Sequence, residues 1–186
     1  MFPISHFNIT RTPFYYYDKT LLSNTLAKLI RLAGERNYHI HYAVKANANP
    51  EILKLIAASG IGADCVSGGE IKAALEAGFP AKKIVFAGVG KADWEIEYAL
   101  EKKIFCFNVE SAEELSVIEE LAKKKENIAS IALRINPNID AHTHEYITTG
   151  LSENKFGIPI EMLDSIFSQI QRSPHVQLVG FHFHIG

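Results

Sequence analysis

Cysteine is scarce in this chain. Its 186 residues include 2, Cys65 and Cys106, too few for the disulfide framework of a small secreted domain. Each lies in an apolar run that reads as a strand, so both are expected as reduced, buried thiols. An excess of charge of either sign is also lacking: 19 Lys and Arg stand against 21 Asp and Glu, a net of −2 with His neutral. The longest run of like charge, Lys123-Lys124-Lys125, is closed by Glu126. Without a basic field there is little to attract a phosphate backbone, so no nucleic-acid partner is expected. Long hydrophobic runs are missing as well. Stretches such as Ile131-Ala132-Leu133 are strand-sized, far below the roughly 20 residues that span a bilayer. The start, Met1-Phe2-Pro3-Ile4-Ser5-His6, shows neither the positive n-region nor the apolar h-region of a secretory signal. A cytoplasmic address with no membrane partner is the expectation. What remains, with 47% hydrophobic residues, is the composition of a globular protein.

From residue 39 onward, apolar β-rich runs alternate with helical patterns, the mark of βα units around a parallel sheet. Six strands are predicted: His39–Val44, Ala63–Ser67, Ile84–Ala87, Ile104–Val109, Ala129–Ile135 and Val179–Ile185. Several are apolar at consecutive positions, as strands covered on both faces are. Helices are predicted over 50–58, 68–77, 91–102, 111–125 and 159–172. Pro50 suits a first helical turn, Ser111 opens Ser-Ala-Glu-Glu as a capping box, and Gly60 and Gly78 stand where helices stop. Ahead of them come an extended aromatic segment, Thr12-Pro13-Phe14-Tyr15-Tyr16-Tyr17-Asp18, and a helix over 19–34 with Leu21, Leu22, Leu26, Leu29, Ile30 and Ala33 at helical spacing. Residues 1–38 thus read as a lead-in and 39–186 as an α/β (β/α)8 TIM-type barrel. That barrel typically needs about 250 residues, so the chain is expected to be an amino-terminal piece, truncated after about the sixth strand.

In such barrels the chemistry gathers where strands end, because the βα loops surround one mouth. The first strand runs into Tyr42-Ala43-Val44-Lys45-Ala46-Asn47, which sets a lone lysine at its carboxyl end. If buried, that ammonium has a depressed pKa and acts as a nucleophile able to bond a carbonyl carbon; if not, it snorkels to solvent. The next unit offers Asp64 in its strand and Glu70 in the first helical turn, where the dipole favours an anion. Arg134 places a charge where a barrel wants apolar filling, and Asp64 with Arg134 is readable as an interior ion pair. His182 and His184 alternate onto one strand face. Together with His39/His41 and His142/His144 they raise a zinc site, but no carboxylate is spaced to complete a ligand set, so no metal is expected. The long segment 138–158 reads as a lid over the mouth or as a solvated spacer.

Five ordered blocks then resemble one family. They are Tyr42-Ala43-Val44-Lys45-Ala46-Asn47, Asp64-x-x-Ser67-Gly68-Gly69-Glu70, Leu133-Arg134-Ile135-Asn136-Pro137, Thr149-Gly150-Leu151-x-x-x-Lys155-Phe156-Gly157 and His182-x-His184-Ile185-Gly186. In this order they are similar to the alanine-racemase-like (fold type III) pyridoxal phosphate decarboxylases. The segment Asn136-Pro137-Asn138-x-Asp140-x-x-Thr143-His144-x-Tyr146-Ile147-x-Thr149-Gly150 resembles the branch acting on meso-2,6-diaminopimelate rather than the ornithine decarboxylases.

The resemblance implies pyridoxal 5'-phosphate as cofactor and decarboxylation of meso-2,6-diaminopimelate to L-lysine and CO2, the last step of lysine synthesis. Lys45 matches the lysine that carries the cofactor, and His184 the histidine stacked on its ring. Asp64, Glu70 and Arg134 match polar residues around them, completing the expected cofactor-binding set. The family also uses a Gly-rich loop, a Glu-Gly-x-Arg-type segment, a cysteine motif from a partner subunit and a carboxyl-terminal β-domain, none of which is in these 186 residues. A full-length homodimer with shared sites is implied, along with an exposed, unpaired aromatic segment at 14–17 and an inactive, unstable isolated piece. The alternatives are a non-catalytic pyridoxal-phosphate-binding barrel, a related basic amino-acid decarboxylase, or a metal-dependent hydrolase using the His-x-His pairs.

Overall fold

A computed structural model describes residues 3–136 and 156–184. The chain forms β1 (His41–Ala43), β2 (Gly62–Cys65), β3 (Ile84–Phe86), β4 (Cys106–Val109), β5 (Ala129–Asn136), β6 (Ile158–Pro159) and β7 (Val176–His182). Every pairing is parallel, and β1 to β5 neighbour one another in chain order. Strands added one after another in a single direction are the winding of a (β/α)8 barrel; a doubly wound sheet reverses its order at a switch point. The far side of β5 is shared. β7 pairs with it over Ala129–Arg134, and the two-residue β6 pairs with Ile135 and Asn136.

The helices are α1 (Ile4–Phe7), α2 (Lys19–Gly34), α3 (Pro50–Ala58), α4 (Gly68–Glu76), α5 (Asp93–Lys102), α6 (Ala112–Lys124) and α7 (Leu163–Arg172). Their starts follow side-chain chemistry. Asp18, Asn49, Ser67 and Ser111 each accept first-turn N–H bonds, and Pro50 occupies the first position of α3. Gly60 and Gly78, predicted as stops, have φ of 85° and 98°, a region in which other residues are strained.

Burial explains the strand pattern. All four residues of β4 are buried, as are Ile131, Ala132 and Leu133 in the middle of β5. Outside the sheet, Ile52, Leu53 and Ile56 of α3, Ile71 and Ala74 of α4, Ile96, Ala99 and Leu100 of α5, and Leu115, Ile118, Leu121 and Ala122 of α6 join the same core. Each fully buried Leu, Ile or Phe contributes about 1.5–3 kcal/mol.

Several boundaries differ from the sequence expectation; β1 begins at His41 rather than 39 and β4 at Cys106 rather than 104. The last strand begins at Val176 rather than 179, because Val176, Gln177 and Leu178 pair with the start of β5 ahead of an irregularity between Ile131 and Ala132. The helix expected over 159–172 begins at Leu163, after a 3-10 turn at Ile160–Met162. That over 91–102 begins at Asp93. β6 lies across the expected lid and helix start, and Pro159 is tolerated there because the strand is so short. Residues 138–155 of the expected lid, with Lys155, His142 and His144, lie outside the described residues. Phe14, Tyr15, Tyr16 and Tyr17 are exposed and extended outside the sheet, Tyr15 at 89%. Along α2 only Leu26 and Ala33 are buried, while Leu21 and Leu29 stay exposed.

Candidate active site

Lys45 does not sit at the end of a buried strand. β1 closes at Ala43, and Lys45 is an exposed residue in the 3-10 turn Val44–Ala46. It is open to solvent, and what distinguishes it is a rigid turn. The Tyr42 hydroxyl donates to the Asn47 carbonyl at 3.1 Å, and the Asn47 side chain donates to the Tyr17 hydroxyl at 3.1 Å while accepting from the Asn49 N–H at 2.9 Å. Asn49 in turn caps α3. Short polar side chains thus pin the backbone on both sides of the lysine, as Asx-type bonds do in turns.

Asp64 faces this turn, its β2 position paired with Ala43. One carboxylate oxygen, Oδ1, is buried without a hydrogen-bond partner. Burial raises the Asp64 pKa, the nearby Lys45 charge opposes that rise, Glu70 adds to it, and His184 opposes it. The side chains that act on Asp64 are therefore the predicted set of Lys45, Glu70 and His184. Glu70 is held by the Val66 N–H, 2.8 Å from its Oε2, while its own N–H donates to Ser67 Oγ at 3.2 Å. His184 is exposed at the end of β7.

Arg134 departs from expectation. Its ion-pair partner is Glu110, not Asp64, with Nη1 2.6 Å from Oε2; its guanidinium also lies 5.6 Å from the Phe156 ring centroid. The same Glu110 accepts from the Gly88 N–H at 3.3 Å. Its own N–H donates to Glu114 Oε2 at 2.8 Å, and Glu114 Oε1 receives Lys91 Nζ at 2.6 Å. Lys91 is 1% exposed and donates also to the carbonyls of Gly88 at 2.7 Å and Asn108 at 2.9 Å. A buried ammonium with three acceptors satisfies the condition under which such burial is tolerated. The capping box expected at Ser111 is altered accordingly: Ser111 accepts the Glu114 N–H, but the Glu114 carboxylate reaches past Ser111 to Glu110.

Sequence reading missed Lys91, Glu95, Glu110 and Glu114. The available signal was a repeated strand-end spacing, in which a carboxylate at Glu70 and at Glu114 each lies four residues beyond the N–H it accepts, at Val66 and Glu110. Glu95, buried between α4 and α5, accepts the Gly68 N–H at 2.6 Å and the Ala92 N–H at 2.9 Å.

Of the His-x-His pairs, His39 and His41 line a cavity of about 510 Å³ at the amino-terminal ends of β1 and β2, away from Lys45. No group of three metal-ligating side chains occurs among the described residues, nor is any helix there long and apolar enough to cross a membrane.

A fit to pyridoxal phosphate is tested by the chemistry of these donors. A lysine amine open to solvent can meet an aldehyde, and the unpartnered Asp64 Oδ1 beside it is an acceptor waiting for a donor. The residues present suit the aldehyde and ring end of that cofactor.

Comparison with known proteins points the same way. Residues 23–186 match the model of the pyridoxal-dependent decarboxylases, pyridoxal binding domain. The chain is 58% identical to a diaminopimelate decarboxylase of Bacteroides thetaiotaomicron over all of its own length and 48% of the relative's. It is 48% identical to one from Helicobacter pylori, covering 97% of this chain and 44% of that one. Among solved structures, the H. pylori diaminopimelate decarboxylase complexed with L-lysine superposes with a TM-score of 0.85 at 45% identity, covering 98% of this chain and 46% of that one. The diaminopimelate decarboxylase from M. jannaschii superposes with a TM-score of 0.90 at 38% identity, covering 99% and 44%. The chain spans about half the length of the curated relatives it matches.

Proposed function

Because the chain belongs to the pyridoxal-dependent decarboxylases, matching their pyridoxal-binding domain, whose cofactor is pyridoxal phosphate, we propose that it supplies the lysine-bearing side of an active site that decarboxylates meso-2,6-diaminopimelate to L-lysine and CO2. The observation that carries this reading is the buried Asp64 Oδ1 without a hydrogen-bond partner, on the β2 residue paired with Ala43 at the end of β1, where the charges of Lys45, Glu70 and His184 all bear on it. The names of the relatives support the substrate.

When bound, the cofactor supplies an electron-withdrawing ring that takes up the electron pair left as CO2 departs. Lys45 would hold the cofactor's aldehyde end through Nζ, and its pinned turn fixes where that nitrogen stands. His184 would hold the ring face of the cofactor and help orient the substrate over it. Asp64 balances the charge at Lys45 Nζ through its free oxygen. Glu70 keeps α4 docked to the end of β2 and adds negative charge beside Asp64. Arg134 stands further along the mouth, neutralised by Glu110. In this reading residues 1–38 lead into the barrel and 39 onward build it. The working enzyme is a homodimer with shared sites.

The test uses the full-length protein. Borohydride reduction with pyridoxal phosphate is expected to fix the cofactor's mass on the peptide containing Lys45, and Lys45→Ala to abolish both that adduct and CO2 release from meso-diaminopimelate. Fixation on another lysine overturns the site. No turnover of meso-diaminopimelate, or equal turnover of ornithine, overturns the substrate.

A further inference from the structure

Lys91, Glu114, Glu110 and Arg134 form a chain of charges, two of each sign, along the carboxyl ends of the sheet, with Glu114 and Arg134 part-buried at 14% side-chain exposure each. Lys91 precedes α5, Glu110 follows β4, Glu114 sits in the first turn of α6 and Arg134 lies in β5. Side-chain exposures are 1% for Lys91 and 4% for Glu110. The chain ends beside the β7 histidines: Arg134 is the register partner of His182, two residues before His184. His182 Nδ1 is buried without a hydrogen-bond partner. The charged groups that act on His182 are Arg134 from β5, Glu110 from the end of β4, His184 from its own strand and Lys91.

We propose that Lys91 is a positioning residue of this site: by neutralising Glu114 it leaves Glu110 free to hold Arg134 in place beside His182, and so sets the charge at the foot of His184. The inference rests on the decarboxylase reading for its catalytic consequence but not for its geometry.

The argument is one of charge balance. Removing Lys91 leaves two buried carboxylates for one guanidinium, their segments joined by the bond from the Glu110 N–H to Glu114. An uncompensated buried charge is costly, and the available repair is for Arg134 to be shared between both acids, which draws it off His182. The His182 imidazolium, disfavoured first by burial, then by Arg134 and last by Lys91, then forms more readily.

The experiment measures, in the full-length protein, the NMR titration midpoint of His182 and, separately, kcat and KM for meso-diaminopimelate. Lys91→Met is expected to raise the His182 midpoint and to lower kcat about tenfold, the scale of coupling between groups in one buried network, with cofactor still fixed on Lys45. The double variant Lys91→Met with Glu114→Gln restores charge balance although it removes a further ionic hydrogen bond, so both readouts return toward the parent. A purely structural lysine predicts a double variant worse than the single. An unmoved His182 in Lys91→Met, or a double variant no nearer the parent than the single, overturns the proposal. Should Lys91→Met fail to fold, Lys91→Gln, which removes the charge but keeps an NH2 donor for the carbonyls of Gly88 and Asn108, carries the test: a raised His182 midpoint supports the network and an unchanged one refutes it. A parent without turnover refutes the decarboxylase reading alone, since the His182 titration needs no substrate.

Discussion

Glu95 is a sharp test of how the candidate site is built. Its carboxylate is 9% exposed and takes the N–H of Gly68, the first residue of α4, at 2.6 Å and that of Ala92, just before α5, at 2.9 Å. Both are charge-assisted bonds at helix amino termini, where an anion is also favoured by the dipole. Hydrogen bonds to a charged group are worth about 1.5–3 kcal/mol each. In Glu95→Ala the Gly68 N–H is left buried, because Gly68 itself is buried beneath the Trp94 ring, and the whole of that cost is felt. The Ala92 N–H belongs to an exposed residue and recovers water, so its loss costs about 1 kcal/mol. The sum is about 3 kcal/mol. Glu95→Gln keeps one carbonyl oxygen but turns an NH2 toward the second N–H, and is expected to lose roughly half of that on the same scale. Urea unfolding of the full-length protein measures both. Glu95→Ala within about 0.5 kcal/mol of the parent, the range of ordinary surface substitutions, refutes the reasoning. Because Gly68 opens the turn that carries Glu70, Glu95→Ala is also expected to weaken retention of pyridoxal phosphate under dialysis.

Three further outcomes follow from the same geometry. Burial pushes the Cys65 thiol up to about 12 and that of Cys106 to about 11, so neither is expected to react with iodoacetamide at pH 8 until urea is added; native labelling of either, read by peptide mass, contradicts their burial. Asp64, raised by burial, binds a proton more tightly folded than unfolded, so its contribution to stability is present below the unfolded value of about 3.9 and is lost as pH rises through the folded one. Unfolding curves of Asp64→Asn are therefore expected to gain on the parent as pH climbs above about 4, and parallel curves count against a buried, unpartnered carboxyl. A Cβ added at Gly62 meets the His41 ring at 2.3 Å and the Lys83 carbonyl oxygen at 2.5 Å; since a backbone atom cannot step aside, Gly62→Ala is expected to cost about 1–3 kcal/mol in urea unfolding, and a neutral result shows that β1 and β2 are not clamped there.

The alternation of strands and helices was legible because burial on both faces writes consecutive apolar residues into strands such as Cys106–Val109, while the helices between them show one apolar stripe each. Boundaries were less so: nothing in Val176-Gln177-Leu178 marks where pairing with β5 begins, since that is decided by the partner strand. The same divide runs through the site. Lys45, Asp64, Glu70 and His184 could be picked out by type and strand-end position, and the charges of Lys45, Glu70 and His184 bear on the Asp64 carboxyl. What is invisible one residue at a time is which charge neutralises which. Arg134 has Asp64 and Glu110 as possible partners in the sequence, and only the side-by-side placement of β4 and β5 chooses Glu110. Lys91 opens the helix expected over 91–102 with no mark of burial in its sequence, yet its side chain is 1% exposed, while Lys45, readable as buried or as snorkelling, is exposed. The inversion has a physical basis. A reactive amine must be approachable, whereas an ammonium that only balances carboxylates is most effective where the dielectric is low. Chemistry at this mouth is thus legible from residue type, but its electrostatics depend on contacts between βα units that no local pattern encodes.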